Sequence, residues 1–338
     1  MSTPSDDYTT LAGRLGYAES KRFRALLENL MTPDQAKMAA ALPGSPADVA
    51  DKTGFDETVI KENLEKLFFK GVVIPKGDFE NRMFYRFPRS VGQFHDATQA
   101  TKARDVEDKD DIEFYSLWHD FVMEEWYPDM GKVFTENARP HQRIVPAHPA
   151  LEGLDGVLPH EDMRELLKAQ ETIAVVPCAC RFRTAAVEEP CAHFDEVNIW
   201  SCLQFGRGAQ YVLARNTGKR LSTDEALELL DKVVEDGLLH MWRNNDAMTG
   251  VNTSCQCCRD CCMSYVPMDI VGESIGNVWE KSRYEAFIVQ DKCDGCQDCV
   301  ERCEFDAIDM IKPEAVGKAK RSKKLKAAID PEKCWGCG

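Results

Sequence analysis

The chain has no apolar run near the ~18 residues that a membrane-spanning helix requires. Its opening, Met1-Ser2-Thr3-Pro4-Ser5-Asp6-Asp7, offers neither the basic nor the apolar segment of a secretory signal. No glycine-rich phosphate-binding fingerprint follows a strand pattern, so no NAD or flavin site is expected in this chain. No paired carboxylates and no nucleophile–base arrangement rise above background, and no catalytic residue is named. Positive charge is also short: 42 Lys and Arg stand against 57 Asp and Glu, a net charge of −15 over 338 residues. Such a chain repels nucleic acid and anionic membrane in the mean field. What it has in excess is cysteine, fifteen in all. Clustered cysteines without an export signal point to reduced thiolates holding metal in the cytoplasm, with no membrane insertion. Cluster lability adds the expectation of an oxygen-poor, anaerobic setting.

The most specific pattern is Cys293-Asp294-Gly295-Cys296-Gln297-Asp298-Cys299 followed by Cys303. Three cysteines at steps of three and a fourth four residues on form the bacterial ferredoxin ligand run, in which the fourth cysteine ligates the other cluster. A short irregular loop can set three thiolates on three corners of a cubane. Zinc knuckles pair separated C-x-x-C units and do not look like this. A second run, Cys334-Trp335-Gly336-Cys337, adds two ligands, with Cys303 as their expected partner. The third cysteine of that run and the fourth ligand for Cys293, Cys296 and Cys299 are not in the sequence, so the module reads as cut short at Gly338. Glu304 stands where small ferredoxins carry proline.

Residues 1–19 read as a tail and 20–90 as a winged-helix-like domain. Ser20–Leu30 carries a helical stripe of Phe23, Leu26, Leu27 and Leu30. Thr32-Pro33 and Ser45-Pro46 open two more helices with a cap and an N1 proline. Asp56–Lys70 forms a fourth, ended by Gly71. Val72–Pro75 and Arg82–Phe87 form the wing. Twelve basic residues against ten acidic ones over 20–90 give little of the phosphate neutralisation that duplex binding needs, so DNA is the lesser expectation and partner docking the greater.

Residues 91–159 read as an acidic and aromatic connector, from Asp105 and Glu107 to Phe114, Tyr115, Trp118, Phe121, Trp126 and Tyr127, the aromatics forming one buried face. Residues 160–280 read as a Cys-rich middle domain of α/β or α+β type. Thr172–Val176 is a buried strand stopped by Pro177, Ser222 and Glu225 form a capping box, and Leu238–Trp242 is a second strand. Its cysteines fall along the chain into Cys178, Cys180, Cys191 and Cys202, then Cys255, Cys257, Cys258, Cys261 and Cys262. Either each group holds its own centre, or Cys178 and Cys180 join the second. On a helix, the pairs at 257–258 and 261–262 would share a face. Soft thiolates so crowded are an oxidation hazard unless metallated, although Cys191 and Cys202 also suit plain buried thiols. Arg181, Arg183, Arg207 and Arg259 lie beside them, suited to offset thiolate charge or to form ordinary ion pairs. His119, His141, His148 and His160 are expected in structural or surface roles, and so are His193 and His240, with metal ligation as their lesser alternative. Residues 281–338 are the ferredoxin module, and its basic stretch Lys318, Lys320, Arg321, Lys323, Lys324 and Lys326 is either a solvated loop or a lure for an acidic partner.

Pro177-Cys178-Ala179-Cys180-Arg181, Cys202-Leu203-Gln204-Phe205-Gly206, the Cys255–Cys262 run and the terminal module together resemble the 4Fe-4S dicluster domain-containing, ferredoxin-like proteins of anaerobic bacteria. The resemblance implies two [4Fe-4S] clusters on an intact module and redox work in the middle domain. The fold class expected is α+β, multidomain: a winged-helix-like domain, a Cys-rich α/β middle domain and a bacterial-type 2[4Fe-4S] module. The expected function is intracellular iron–sulfur electron transfer within an anaerobic oxidoreductase system, with a redox protein as partner. The alternatives are a redox-sensing winged-helix transcription regulator and a zinc-bound interaction module.

Overall fold

The computed structural model describes residues 6–100, 109–187, 189–244, 253–312 and 324–338. Its first part is helical: α1 (Asp7–Arg14), α2 (Lys21–Leu30), α3 (Pro33–Ala40), α4 (Pro46–Thr53) and α5 (Glu57–Phe69). Side-chain caps fix the starts of these helices. Ser20 accepts from the Phe23 amide, Thr32 and Gln35 cap each other's backbone, and Ser45 and Asp48 do the same. β1 (Ile74–Pro75) pairs antiparallel with β2 (Tyr85–Arg86). These strands are far shorter than the sequence pattern suggests.

The aromatic stretch is part of this body and not a spacer. Phe114, Tyr115, Trp118 and Phe121 of α6 (Lys109–Phe121) share one core with Phe23, Leu26, Leu64 and Phe68. A π-helical turn, Val122–Trp126, carries the chain into Tyr127–Glu136 and sets Trp126 and Tyr127 inward. Asp105, Glu107 and Asp108 lie outside the described residues.

The middle of the chain is organised by a seven-stranded sheet. Its strands are β3 (Gln142–Val145), β4 (Ile173–Val176), β5 (Cys202–Phe205), β6 (Lys219–Leu221), β7 (Leu239–Arg243), β8 (Thr253–Cys257) and β9 (Trp279–Glu280). The spatial order is β6-β4-β5-β8-β7-β3-β9. Every pairing is antiparallel except β3 with β9. The α/β expectation for the middle domain is therefore corrected to α+β, because no helical crossovers link parallel neighbours. β3 comes from the stretch the sequence assigned to the connector, and its partner β7 lies about a hundred residues further on.

The sheet topology brings the cysteines to one end. β4 runs out at Val176, just before Cys178, and pairs with Cys202 at the start of β5. β5 in turn pairs with β8 in the register Leu203↔Ser254, which sets Cys202 beside Cys255. The Cys255–Cys262 run is thus strand and turn, not the helix on which its pairs would have shared a face. The alternation of β8 puts Cys255 and Cys257 on one face and Gln256 on the other. Beyond the sheet, β10 (Ile308–Ile311) and β11 (Lys326–Ile329) pair antiparallel in the C-terminal module.

Candidate metal centres

In the C-terminal module two short loops present the six cysteines. Gly295 sits at φ +83°, and a Cβ there would meet the Leu325 carbonyl at 2.6 Å. Gly336, at φ +61°, leaves even less room, with Ser282 Oγ and the Tyr284 carbonyl 2.2 Å from a would-be Cβ. Glycine at these two positions lets the loops curl tightly under the thiols. Backbone amides are aimed at sulfur: Ala307 N–H donates to Cys303 Sγ at 3.3 Å and Ala327 N–H to Cys293 Sγ at 3.5 Å. Cys337 lies in the electrostatic field of Cys303 and Cys334. Burial first, then those sulfurs, pushes the Cys337 thiol up to about 11. Among the described residues, no three of the six sulfurs lie within 4.8 Å of one another. That separation, with amides facing sulfur, fits thiolates that each take a different iron of a cubane. Cys293, Cys296 and Cys299 would hold one cluster, and Cys303, Cys334 and Cys337 the other.

Lys324 and Lys326 are the described members of the basic stretch, and Lys326 is not a free surface charge. Its Nζ donates to the Gln290 carbonyl at 3.0 Å and to the Cys293 carbonyl, clamping the first loop. Lys318, Lys320, Arg321 and Lys323 lie outside the described residues.

The nine middle cysteines form a second, different site. They do not sort by position in the chain. Cys191 meets Cys258 at 3.4 Å, and Cys258 meets Cys261 at 3.4 Å. Cys202 lies beside Cys255 across β5 and β8, Cys257 shares the Cys255 face of β8, and Cys257 accepts from Cys262 at 3.6 Å. Cys178 and Cys180 stand two residues apart at the start of the helix Ala179–Ala186. The Cys178 thiol is drawn down to about 6, chiefly by the neighbouring Cys180 thiol, with Arg181 helping and burial opposing. The cysteines thus interleave in space: Cys191 lies against the Cys258–Cys261 pair and Cys202 beside Cys255.

Two buried cations run along this basin. Arg181 is fully buried. It donates to the Asn198 carbonyl (3.0 Å), Ser201 Oγ (2.9 Å), the Gln256 carbonyl (2.9 Å) and Cys258 Sγ (3.6 Å). Arg183 donates to Tyr127 Oη at 3.0 Å and stacks over that ring. Among the described residues neither meets a carboxylate, and the Nε of each has no partner. A guanidinium taken out of water needs an anion, and the sulfurs are the anions at hand. Burial opposes Arg181's charge, and Cys178, Cys258, Cys261 and Cys191 outweigh it. Arg207 and Arg259 do not join them: Arg207 bonds the Gly77 carbonyl, and Arg259 pairs with Asp306 at 2.8 Å.

The two sites touch. Cys255, Cys257, Cys262, Cys303 and Cys337 belong to one apolar cluster with Tyr265, Phe305 and Trp335. Phe305 and Trp335 stack with centroids 5.1 Å apart, and Tyr265 lies 6.3 Å from Phe305. Glu304 explains its own departure from proline. Its carboxylate accepts the Arg259 amide at 2.9 Å and faces His193 Nε2 at 3.8 Å, joining the ferredoxin run to two basin loops. Beside it lies a cavity of about 440 Å³ lined by His193, Arg259, Asp260, Val266, Asp269 and Glu304. Asp260 and Glu304 were not singled out as site residues by the sequence, although Asp260 sits inside the cysteine run. His240 is buried and bonded to Gln256, and His148 bonds Asp162 at 3.0 Å, so both are structural.

Residues 292–338 match the family described as the 4Fe-4S dicluster domain. No curated protein and no solved structure matches the chain. The module is thus a 4Fe-4S cluster domain, and the rest of the chain rests on its own geometry.

Proposed function

We propose that the chain is an iron–sulfur electron-transfer protein in which the C-terminal clusters exchange electrons with a redox centre held in the middle basin. The observation that carries this reading is the contact between the sites, where Phe305, Trp335 and Tyr265 share one apolar cluster with Cys303 and Cys337 of the module and Cys257 and Cys262 of the basin. A 4Fe-4S cluster supplies one-electron oxidation and reduction. The chain's own residues do the rest. The aromatic stack excludes water between the sites, Glu304 fixes their separation, and the amides on Cys293 and Cys303 tune sulfur basicity. The Arg181 guanidinium favours the anionic form of Cys178 and Cys258, and that of Arg183 the anionic form of Cys180.

Within this reading the protein serves an oxidoreductase system, receives electrons from a redox protein and works in a reducing cytoplasm. No described helix is long and apolar enough to cross a membrane. A reductive titration of the native protein under anaerobic conditions tests the proposal. It should accept more electrons per chain than a variant with Cys202 and Cys257 replaced by serine, whose module keeps its iron and sulfide. Equal electron counts would remove the basin from the reading.

The regulator alternative draws on the order α2-α3-α4-α5-hairpin, that of a winged helix. Against it, Lys61 is paired with Glu57 at 2.7 Å, and Arg82 of the hairpin is spent on Glu65. Salt-dependent binding of duplex DNA that changes with cluster oxidation would favour it.

A further inference from the structure

Cys191, Cys258, Cys261 and Asp260 differ from every other thiol group among the described residues: their ligand atoms all lie within 4.8 Å of one another. A single tetrahedral ion with metal–sulfur bonds of about 2.3 Å sets its sulfurs about 3.8 Å apart. The two 3.4 Å sulfur contacts are close to that edge, whereas a cubane takes one thiolate on each iron and needs them spread. The local sequence suits one ion too. Cys258-Arg259-Asp260-Cys261 is a C-x-x-C knuckle, and Cys191 closes on it from a separate loop. Asp260 is held in place by the Ala192 amide, which donates to one carboxylate oxygen at 2.8 Å and leaves the other available.

Charge makes a second, independent argument. Three thiolates and a carboxylate around a divalent ion leave a net charge of −2. Arg181, fully buried and without a carboxylate partner, lies with Nη2 3.6 Å from Cys258 Sγ, where it offsets part of that charge. Asp260 is the exposed member of the group, and it also lines the 440 Å³ cavity. We propose that Cys191, Cys258, Cys261 and Asp260 bind one divalent ion of the zinc class, separate from the 4Fe-4S clusters and reached from that cavity. The soft, tetrahedral donor set selects zinc-like ions over magnesium or calcium. This site does not depend on the electron-transfer reading, since the remaining basin cysteines are left to it.

The test uses the native protein with its clusters intact. X-ray absorption at the zinc edge should show three sulfurs at about 2.3 Å and one oxygen at about 2.0–2.2 Å. Cobalt(II) used as a probe should bind once per chain, with the strong visible bands of a tetrahedral thiolate site. C191S should abolish that binding. D260N, which leaves every thiol and the fold's buried groups in place, should weaken it at least about tenfold. Iron and acid-labile sulfide should be unchanged in both variants. Cobalt or zinc binding unaffected by either substitution would overturn the proposal. So would loss of iron and sulfide together from D260N, or metal–metal scattering at this site.

Discussion

The two cysteine-rich regions solve the same problem in opposite ways. The C-terminal module takes six thiols from two loops, Cys293–Cys303 and Cys334–Cys337, keeps them apart and points backbone amides at them. The basin gathers nine thiols from across the sheet and turns, brings five of them into sulfur–sulfur contact and sets a guanidinium group against Cys258. In the first, spacing along the chain is itself the geometry. In the second, the geometry exists only once β4, β5 and β8 have paired. The difference also sets the electrostatics. Amide dipoles suffice near the surface, where Cys296 is exposed, but a buried thiolate cluster calls for a full positive charge.

The sharpest way to break this comparison is Arg181→Leu. It leaves the basin thiolates without their buried counter-charge, and the loss should be on the order of 3–5 kcal/mol, the scale of a buried pair with one partner removed. Chemical unfolding should show it, together with loss of basin metal, while the module keeps its iron and sulfide. Equal loss from both regions would mean that they are one unit. Phe305→Ala removes the ring between them and should cost about 3 kcal/mol. Hydrogen exchange should then rise around Tyr265 and Trp335 and stay low in the N-terminal core. Glu304→Gln keeps the shape but weakens the acceptor for the Arg259 amide and the His193 pair, an effect of about 1–2 kcal/mol seen as easier proteolytic release of the module.

The smallest effect concerns the ion pair that ties the module to the segment before β4. Arg283 donates to Glu161 at 2.8 Å, and that bond, with burial opposing, holds the Glu161 carboxyl down at about 2 against an ordinary 4.5. A carboxyl so depressed stabilises the fold fully above pH 4.5 and loses that contribution as pH falls toward 2. Glu161→Gln should therefore be less stable than the parent at neutral pH, with the gap closing across that window in a pH series of unfolding midpoints.

Where the sequence was legible, the cause was local. Thr32, Ser45 and Ser222 cap helices within a few residues of themselves, and all three accept the expected amide. The ferredoxin runs are read from spacing for the same reason. Where it was not, the cause lay far along the chain. β3 could not be placed until β7 paired with it, and the thiol that Cys191 meets, Cys258, lies 67 residues away. The sequence left Arg181 open between offsetting thiolate charge and an ordinary ion pair, since its burial depends on Asn198, Ser201 and Gln256 closing over it. Glu304 gave a signal only by breaking a pattern.

The central claim, that the module and basin form one redox unit, is tested most directly by an EPR redox titration of the anaerobically prepared native protein beside its C202S/C257S variant. The account predicts that the reduced module's signals are altered in the variant, because a neighbouring centre at the basin has been removed while the module's own ligands are intact. Identical signals and identical midpoint potentials in the two proteins would contradict it.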